Sequence, residues 1–248
     1  MTSCNGSDSV VTANTECNIP IATLRAAPFS LPWGELVYAK VQAHNAYGAS
    51  GYSDAGCCGR IVTNPDPPIN LKEEISGRTI STLGISWQQA SFNGGDVILD
   101  YRVWMNDGRD AADVFTEIAT GLQQTSIVAT GLQYGVIYTF KVESRNSYDY
   151  SNFSQTFSLL CAIEPDQIVQ PTTTISLDKV IVDWNAPNDH GSPITRYRVF
   201  IQAADGTWHE ETISCSGDPA TTECAVSSFD LIVALWNLLK DSSVNAYI

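Results

Sequence analysis

Leu132-Gln133-Tyr134-Gly135-Val136-Ile137-Tyr138-Thr139-Phe140-Lys141-Val142-Glu143-Ser144-Arg145-Asn146 decides how this chain is read, because the pattern has already occurred once, at Leu31-Pro32-Trp33-Gly34-Glu35-Leu36-Val37-Tyr38-Ala39-Lys40-Val41-Gln42-Ala43-His44-Asn45. Leu31 and Leu132, Gly34 and Gly135, Val41 and Val142, Asn45 and Asn146, and Ser53 and Ser154 all stand 101 residues apart. A self-match at the length of one small domain marks an array of like modules, and it moves the expected function toward binding or spanning.

Composition narrows the class. The 248 residues suffice for about two domains. At 44% hydrophobic and 16% charged, the chain is globular. A net charge of -14 leaves no excess of Lys or Arg to neutralise phosphates, which argues against nucleic acid and against a polybasic membrane patch. The acidity reads first as solubility. No run of about 20 apolar residues occurs, so no spanning helix is expected; the longest apolar stretch is Leu231–Trp236. Met1-Thr2-Ser3-Cys4 does not open a signal peptide.

The middle of the chain has strand periodicity. Pro65-Asp66-Pro67-Pro68 is a stiff break. Leu83, Ile85 and Trp87 then alternate on one face, as do Tyr101, Val103 and Met105, and Tyr138, Phe140 and Val142. Short alternating runs between turns predict an antiparallel sandwich. From Trp87, Tyr101-x-Val103 and Leu132-x-x-Gly135-x-x-Tyr138-x-Phe140-x-Val142, residues 64–162 closely resemble a fibronectin type III domain. The resemblance implies a core Trp87, a corner filled by Leu132, and a Tyr138 hydroxyl turned back to corner backbone.

The flanks resemble parts of the same domain. Residues 1–63 match its back half, strands E to G with a cysteine-bearing loop. Residues 163–248 match its front half, strands A to E and the start of F, through Val182-Asp183-Trp184 and Arg196-Tyr197-Arg198-Val199. The two flanks also match each other 207 residues apart: Cys17/Cys224, Leu31/Leu238, Val37/Val244 and Ala39/Ala246. The expected fold is therefore all-β, tandem fibronectin type III sandwiches of immunoglobulin-like type, one complete and two truncated, in a slice of a longer array. The alternation is similar to that of large tandem repeat proteins of ciliates.

Seven cysteines bear on compartment. Cys4 and Cys17, and Cys215 and Cys224, bound polar loops of different length before the same strand, as a disulfide closing a variable loop would. Free thiols at the loop ends are the alternative. Cys57-Cys58 are adjacent, so they are expected not to bridge, with one buried and one exposed. Cys161 reads as a buried strand residue. Asn5-Gly6-Ser7 and Asn152-Phe153-Ser154 fit the glycan acceptor pattern. Together these favour an extracellular or cell-surface setting.

No catalytic, cofactor or metal-ligating pattern is present in the sequence: His44, His190 and His209 sit in no ligand spacing, and Asp96 and Asp100 read as turn carboxylates. The binding candidate is the outward face built by Arg102 and Trp104 with Lys141, Glu143 and Arg145 on the neighbouring strand, echoed by Arg198 and Phe200. The same residues could instead simply pack across strands. The expected function is a non-catalytic spacer and interaction segment, with other proteins and neighbouring modules as partners. An intracellular scaffold array and the accessory modules of an enzyme are the alternatives.

Overall fold

A computed structural model describes residues 4–109, 114–232, 236–238 and 243–247. Ile248 lies outside the described residues, as do residues 233–235 of the apolar stretch Leu231–Trp236. The architecture is all-β. The first stretch carries two short helices, α1 (Ser9–Asn14) and α2 (Ile21–Arg25), then β1 (Leu36–Ala39), β2 (His44–Asn45), β3 (Gly48–Ala49) and β4 (Gly56–Arg60). The next carries β5 (Ile69–Glu73), β6 (Leu83–Gln88), β7 (Asp100–Asn106), β8 (Thr116–Leu122), β9 (Ser126–Ala129), β10 (Ile137–Arg145) and β11 (Phe157–Leu160). The last carries β12 (Thr172–Ser176), β13 (Lys179–Asp183), β14 (Val199–Gln202), β15 (Trp208–Glu211), β16 (Glu223–Ser227), α3 (Ser228–Ile232) and β17 (Ala246–Tyr247).

These residues gather into two compact units. One comprises Met1–Glu74, Ile85–Ile127 and Thr139–Ser158; the other comprises Ile75–Gly84, Val128–Tyr138 and Leu159–Ile248. In the first, the sheet β11-β10-β7-β8 dominates. β7 and β10 pair antiparallel without a break from Asp100↔Arg145 to Asn106↔Thr139. Strand alternation then decides burial. Tyr101 and Val103 on β7, and Phe140 and Val142 on β10, are buried, while Arg102, Trp104 and Lys141 between them are half-buried on the other side. The Trp87 ring meets Tyr101 edge-on at 5.5 Å.

In the second unit the sheets β12-β13-β16 and β15-β14-β17 line a core that includes Val180, Val182, Trp184, Tyr197, Val199, Ile201 and Leu231. Trp184 and Tyr197 repeat the aromatic pair at 5.3 Å. The corner expected at Tyr138 forms here: its hydroxyl accepts a hydrogen bond from the Gln133 backbone N–H at 2.9 Å.

Residues 16–20 form no strand, whereas their counterpart β16 pairs with β13 along its whole length. Two expectations are corrected. Cys57 and Cys58 are both exposed and are joined to each other on β4. Cys58 takes a φ of 96°, which breaks the alternation that would send the two side chains to opposite faces. Cys161 is fully buried but follows β11 rather than lying in it; burial pushes its thiol pKa up.

Candidate functional site

The outward face of β7 and β10 is assembled by register. Lys141 lies opposite Trp104, Glu143 opposite Arg102, and Arg145 opposite Asp100. Glu143 is only 6% exposed although it is charged. Its Oε2 accepts from Trp104 Nε1 at 2.7 Å and from Arg102 Nε at 2.9 Å. One carboxylate thus ties together the indole and guanidinium of two alternate positions on the next strand. A buried carboxylate is tolerated only when such donors compensate its lost hydration.

Rings complete the surface. The Arg102 guanidinium lies 3.9 Å from the centroid of Tyr150 and 5.0 Å from that of Trp104. Lys141 Nζ sits between two rings, 3.7 Å from Phe153 and 3.9 Å from Phe115. Trp104 meets Phe153 edge-on at 5.9 Å. Arg145 stands slightly apart, its guanidinium held by both oxygens of Asp100, which raises its pKa. The structure therefore brings Arg102, Trp104, Lys141 and Glu143 into one cluster and leaves Arg145 at its edge. Cross-strand packing accounts for every polar contact just described. What the face still offers outward is aromatic edge and cation, notably Phe153 at 43% exposure. A smaller version recurs on β14 and β15, where Arg198 is paired with Glu210 and lies 4.9 Å over Phe200.

Cys4 bonds Cys17 and Cys215 bonds Cys224. Inside the first loop, Asp8 caps α1 by accepting from the Val10 backbone N–H at 2.8 Å. In the second, the carboxylate of Glu211, 2% exposed, accepts from the N–H groups of Ile213, Ser214 and Cys215. Glu211, Cys215 and Cys224 bring three ligand-type atoms within 4.8 Å of one another. Because the two sulfurs bond each other and the carboxylate is filled by N–H donors, this set holds the loop rather than an ion. Removing both Cys215 and Cys224 should cost roughly 2–3 kcal/mol, read as a shift of the urea midpoint.

Both acceptor asparagines, Asn5 and Asn152, are exposed. Ser154 has a second role that the sequence reading missed. Its hydroxyl accepts from the Val142 N–H, and that of Ser151 accepts from the Ser144 N–H. Ser53 and Ser50 do the same for Val41 and Ala43, 101 residues earlier. Each hydroxyl also donates to the carbonyl of the residue that follows it. The signal was available as the repeated Ser-x-x-Ser, Ser50-Gly51-Tyr52-Ser53 and Ser151-Asn152-Phe153-Ser154.

Comparison with known proteins places these observations. Residues 66–158 match the family model described as Fibronectin type III domain. Over 183 residues, 68% of this chain, the sequence is 27% identical to Fibronectin type-III domain-containing protein 3a of Gallus gallus and covers 14% of it. It is 28% identical over 122 residues, 47% of the chain, to 12% of Ephrin type-A receptor 5 of Gallus gallus. It is 23% identical over 195 residues, 73% of the chain, to 9% of Protein sidekick-1 of Gallus gallus. The chain thus spans a small fraction of the length of each of these relatives. Among solved structures, 53% of the chain superposes on 42% of titin domains A168–A170 with a TM-score of 0.42 at 19% identity. Within an all-β fold, residues 66–158 are similar to a fibronectin type III domain.

Proposed function

We propose that this chain is a spacer and protein-interaction segment of a larger array of alternating modules, of the kind its likeness to ciliate repeat proteins suggests. In this reading it consists of a back-half module at 1–63, a complete one at 64–162 and a front-half one at 163–248. It acts at the cell surface or outside the cell and carries no chemistry of its own. The observation that carries the reading is the satisfied state of its charged groups. Glu143, Asp100, Glu210 and Glu211 each serve cross-strand pairs or backbone N–H groups. None stands beside a hydroxyl or thiol nucleophile with a base, as acid–base or covalent catalysis would require. The relatives' names, which include a receptor, fit an interaction role. The closed cysteine loops favour an oxidising compartment.

The partner face in this reading is the Arg102, Trp104, Lys141, Glu143 and Arg145 surface. A half-buried indole tied to a carboxylate is held in place, so a partner meets a preformed patch at little entropic cost. Trp104→Ala should weaken capture of a protein partner about tenfold or more while the fold persists. Equal capture by Trp104→Ala and wild type would remove the face from the proposal. The compartment is tested separately by a non-reducing peptide map of protein from its natural source. Bridged Cys4–Cys17 and Cys215–Cys224 are expected, and free thiols at all four would refute the surface assignment. Glycans on Asn5 and Asn152 belong to the same reading. Their test requires Asn→Gln changes, since changing Ser154 would also strip the Val142 N–H of its acceptor.

A further inference from the structure

We propose that the depression between α2 and the turn from Asn146 to Asp149 binds an apolar segment of a partner protein that carries a single Asp or Glu. All its walls belong to one compact unit. Ile21, Ala22 and Arg25 come from α2, Trp33 from the corner before β1, Val62 from the stretch after β4, and Tyr148 from the turn after β10. The space they border is about 620 Å³, within the ordinary range of a ligand site.

The depression lies on the outer side of α2. α3 starts 207 residues after α2 and shows which side is which. Leu231, the counterpart of Leu24, is buried in a core, whereas Phe229 and Ile232, the counterparts of Ala22 and Arg25, are 66% and 46% exposed. Ala22 and Arg25 are exposed likewise. They therefore stand on the face that the corner turns away from a core.

The chemistry of the site centres on Arg25. Its guanidinium carbon sits 4.0 Å over the Trp33 ring, and among the described residues no carboxylate pairs with it. Trp33 is held from behind, since Phe92 meets it edge-on at 5.9 Å and the Gly34 N–H bonds the Ile61 carbonyl at 2.8 Å. The opposite rim is held by Asn146, whose Oδ1 accepts from the Tyr148 N–H at 2.9 Å while its Nδ2 donates to the Thr63 carbonyl at 2.8 Å. A ring under a guanidinium keeps water from one side of the cation and leaves its N–H edge to meet a carboxylate in a two-pronged pair. Ile21, Ala22 and Val62 beside that edge favour an apolar neighbour to the carboxylate. A chain of net charge -14 repels a run of acidic residues, so the fit is to one carboxylate rather than several. A free small acid would leave much of its surface in water in so open a site, whereas small-molecule sites bury roughly 70–90% of their ligand. A side chain presented by a protein needs only its tip covered. The site is separate from the Trp104 face and goes beyond the partner reading above.

NMR of the isotope-labelled 248-residue chain, titrated to millimolar concentration with the peptide acetyl-Gly-Leu-Glu-Leu-Gly-amide, tests it. The Trp33 indole and Tyr148 amide signals should shift together and saturate. Replacing the peptide's Glu by Gln, or Arg25→Gln in the protein, should each weaken binding about tenfold. The two changes together should cost little more than either alone, because both remove the same pair. Arg25 is exposed, so Tm should not change. The absence of a saturable shift at Trp33, equal binding of the Glu and Gln peptides, or full additivity of the two changes overturns the proposal. Hexanoate binding as tightly as the peptide would assign the site to free acids, and shifts that grow with protein concentration alone would assign it to a second copy; either result also overturns it.

Discussion

Gly94→Ala should lower stability by about 3 kcal/mol or more, well beyond what a single exposed turn position ordinarily costs. Gly94 has a φ of +74°, and a Cβ there would sit 2.1 Å from the Thr63 carbonyl oxygen and 2.6 Å from Asn146 Nδ2. Backbone fills that space, so no side chain can rotate out of the way. The site is also a crossroads of hydrogen bonds. Asn146, 2% exposed, donates from Nδ2 to the carbonyls of Thr63 and Asn93 at 2.8 Å each, and the Thr63 N–H bonds the Gly94 carbonyl. A methyl group at Gly94 enters the path between Asn146 and Thr63, taking from the Thr63 carbonyl its side-chain donor and leaving the Asn146 amide only its bond to Asn93. Gly121 is the control, because it has a similar φ of +70° with open space around it. Gly121→Ala should pay only the conformational part, about 1–2 kcal/mol. Urea midpoints at unchanged m-value report both. Equal losses in the two variants would show that the contact at Thr63 contributes nothing.

The same device recurs at Gly191, where a Cβ would lie 2.2 Å from the Gly135 backbone nitrogen. Gly135 in turn donates its N–H to the Cys161 carbonyl at 2.8 Å, as Gly34 does to that of Ile61. In each unit, then, a corner glycine is bonded to the residue just past the strand that leads to the proline-rich stretch, and a second glycine packs backbone to backbone on it. The proline stretch at 65–68 was read as the stiff element. The closer constraint is glycine, which acts by permitting contact.

What was legible in the sequence follows from periodicity and repetition. Leu83, Ile85, Trp87, Tyr101, Val103, Phe140 and Val142 alternate because both faces of a strand have different neighbours, and all are buried. The 207-residue match predicted the same corner twice, and Leu24 and Leu231 each accept its closing bond. Cys57 and Cys58 were misread because alternation predicts burial only where a second layer covers one face, and every residue of β4 is exposed. At the candidate face, parity alone placed Arg102, Trp104, Lys141 and Glu143 together. It could not reveal that Glu143 is buried, because that depends on the Trp104 indole and the Arg102 guanidinium converging on one oxygen. Tyr150, Phe153 and Phe115 entered the face from segments outside the named strands, whose placement the sequence does not display.

Glu211→Ala should cost about 3 kcal/mol, whereas Glu210→Ala should leave the urea midpoint near that of wild type. The two carboxylates are adjacent in sequence and sit on opposite faces of β15. Glu210 faces outward and pairs with Arg198, whose hydrogen bond holds its pKa down. Glu211 faces inward and collects three backbone N–H groups of the turn that follows it. Without that carboxylate the three donors have no acceptor in an interior from which water is excluded, and each unmet donor is expensive. Glu211→Gln keeps one acceptor oxygen but turns an NH2 group toward the same donors, so it should fall between alanine and wild type. The turn also delivers Cys215 to Cys224, since the Cys215 N–H is one of the three donors, at 2.7 Å. The loss from Glu211→Ala and the loss from opening the disulfide should therefore overlap, giving a combined effect smaller than the sum by at least about 0.5 kcal/mol in a double-mutant cycle. Strict additivity would mean that the carboxylate and the bridge stabilise separate structures, and that the turn from Glu211 to Cys215 holds its shape without the charge inside it.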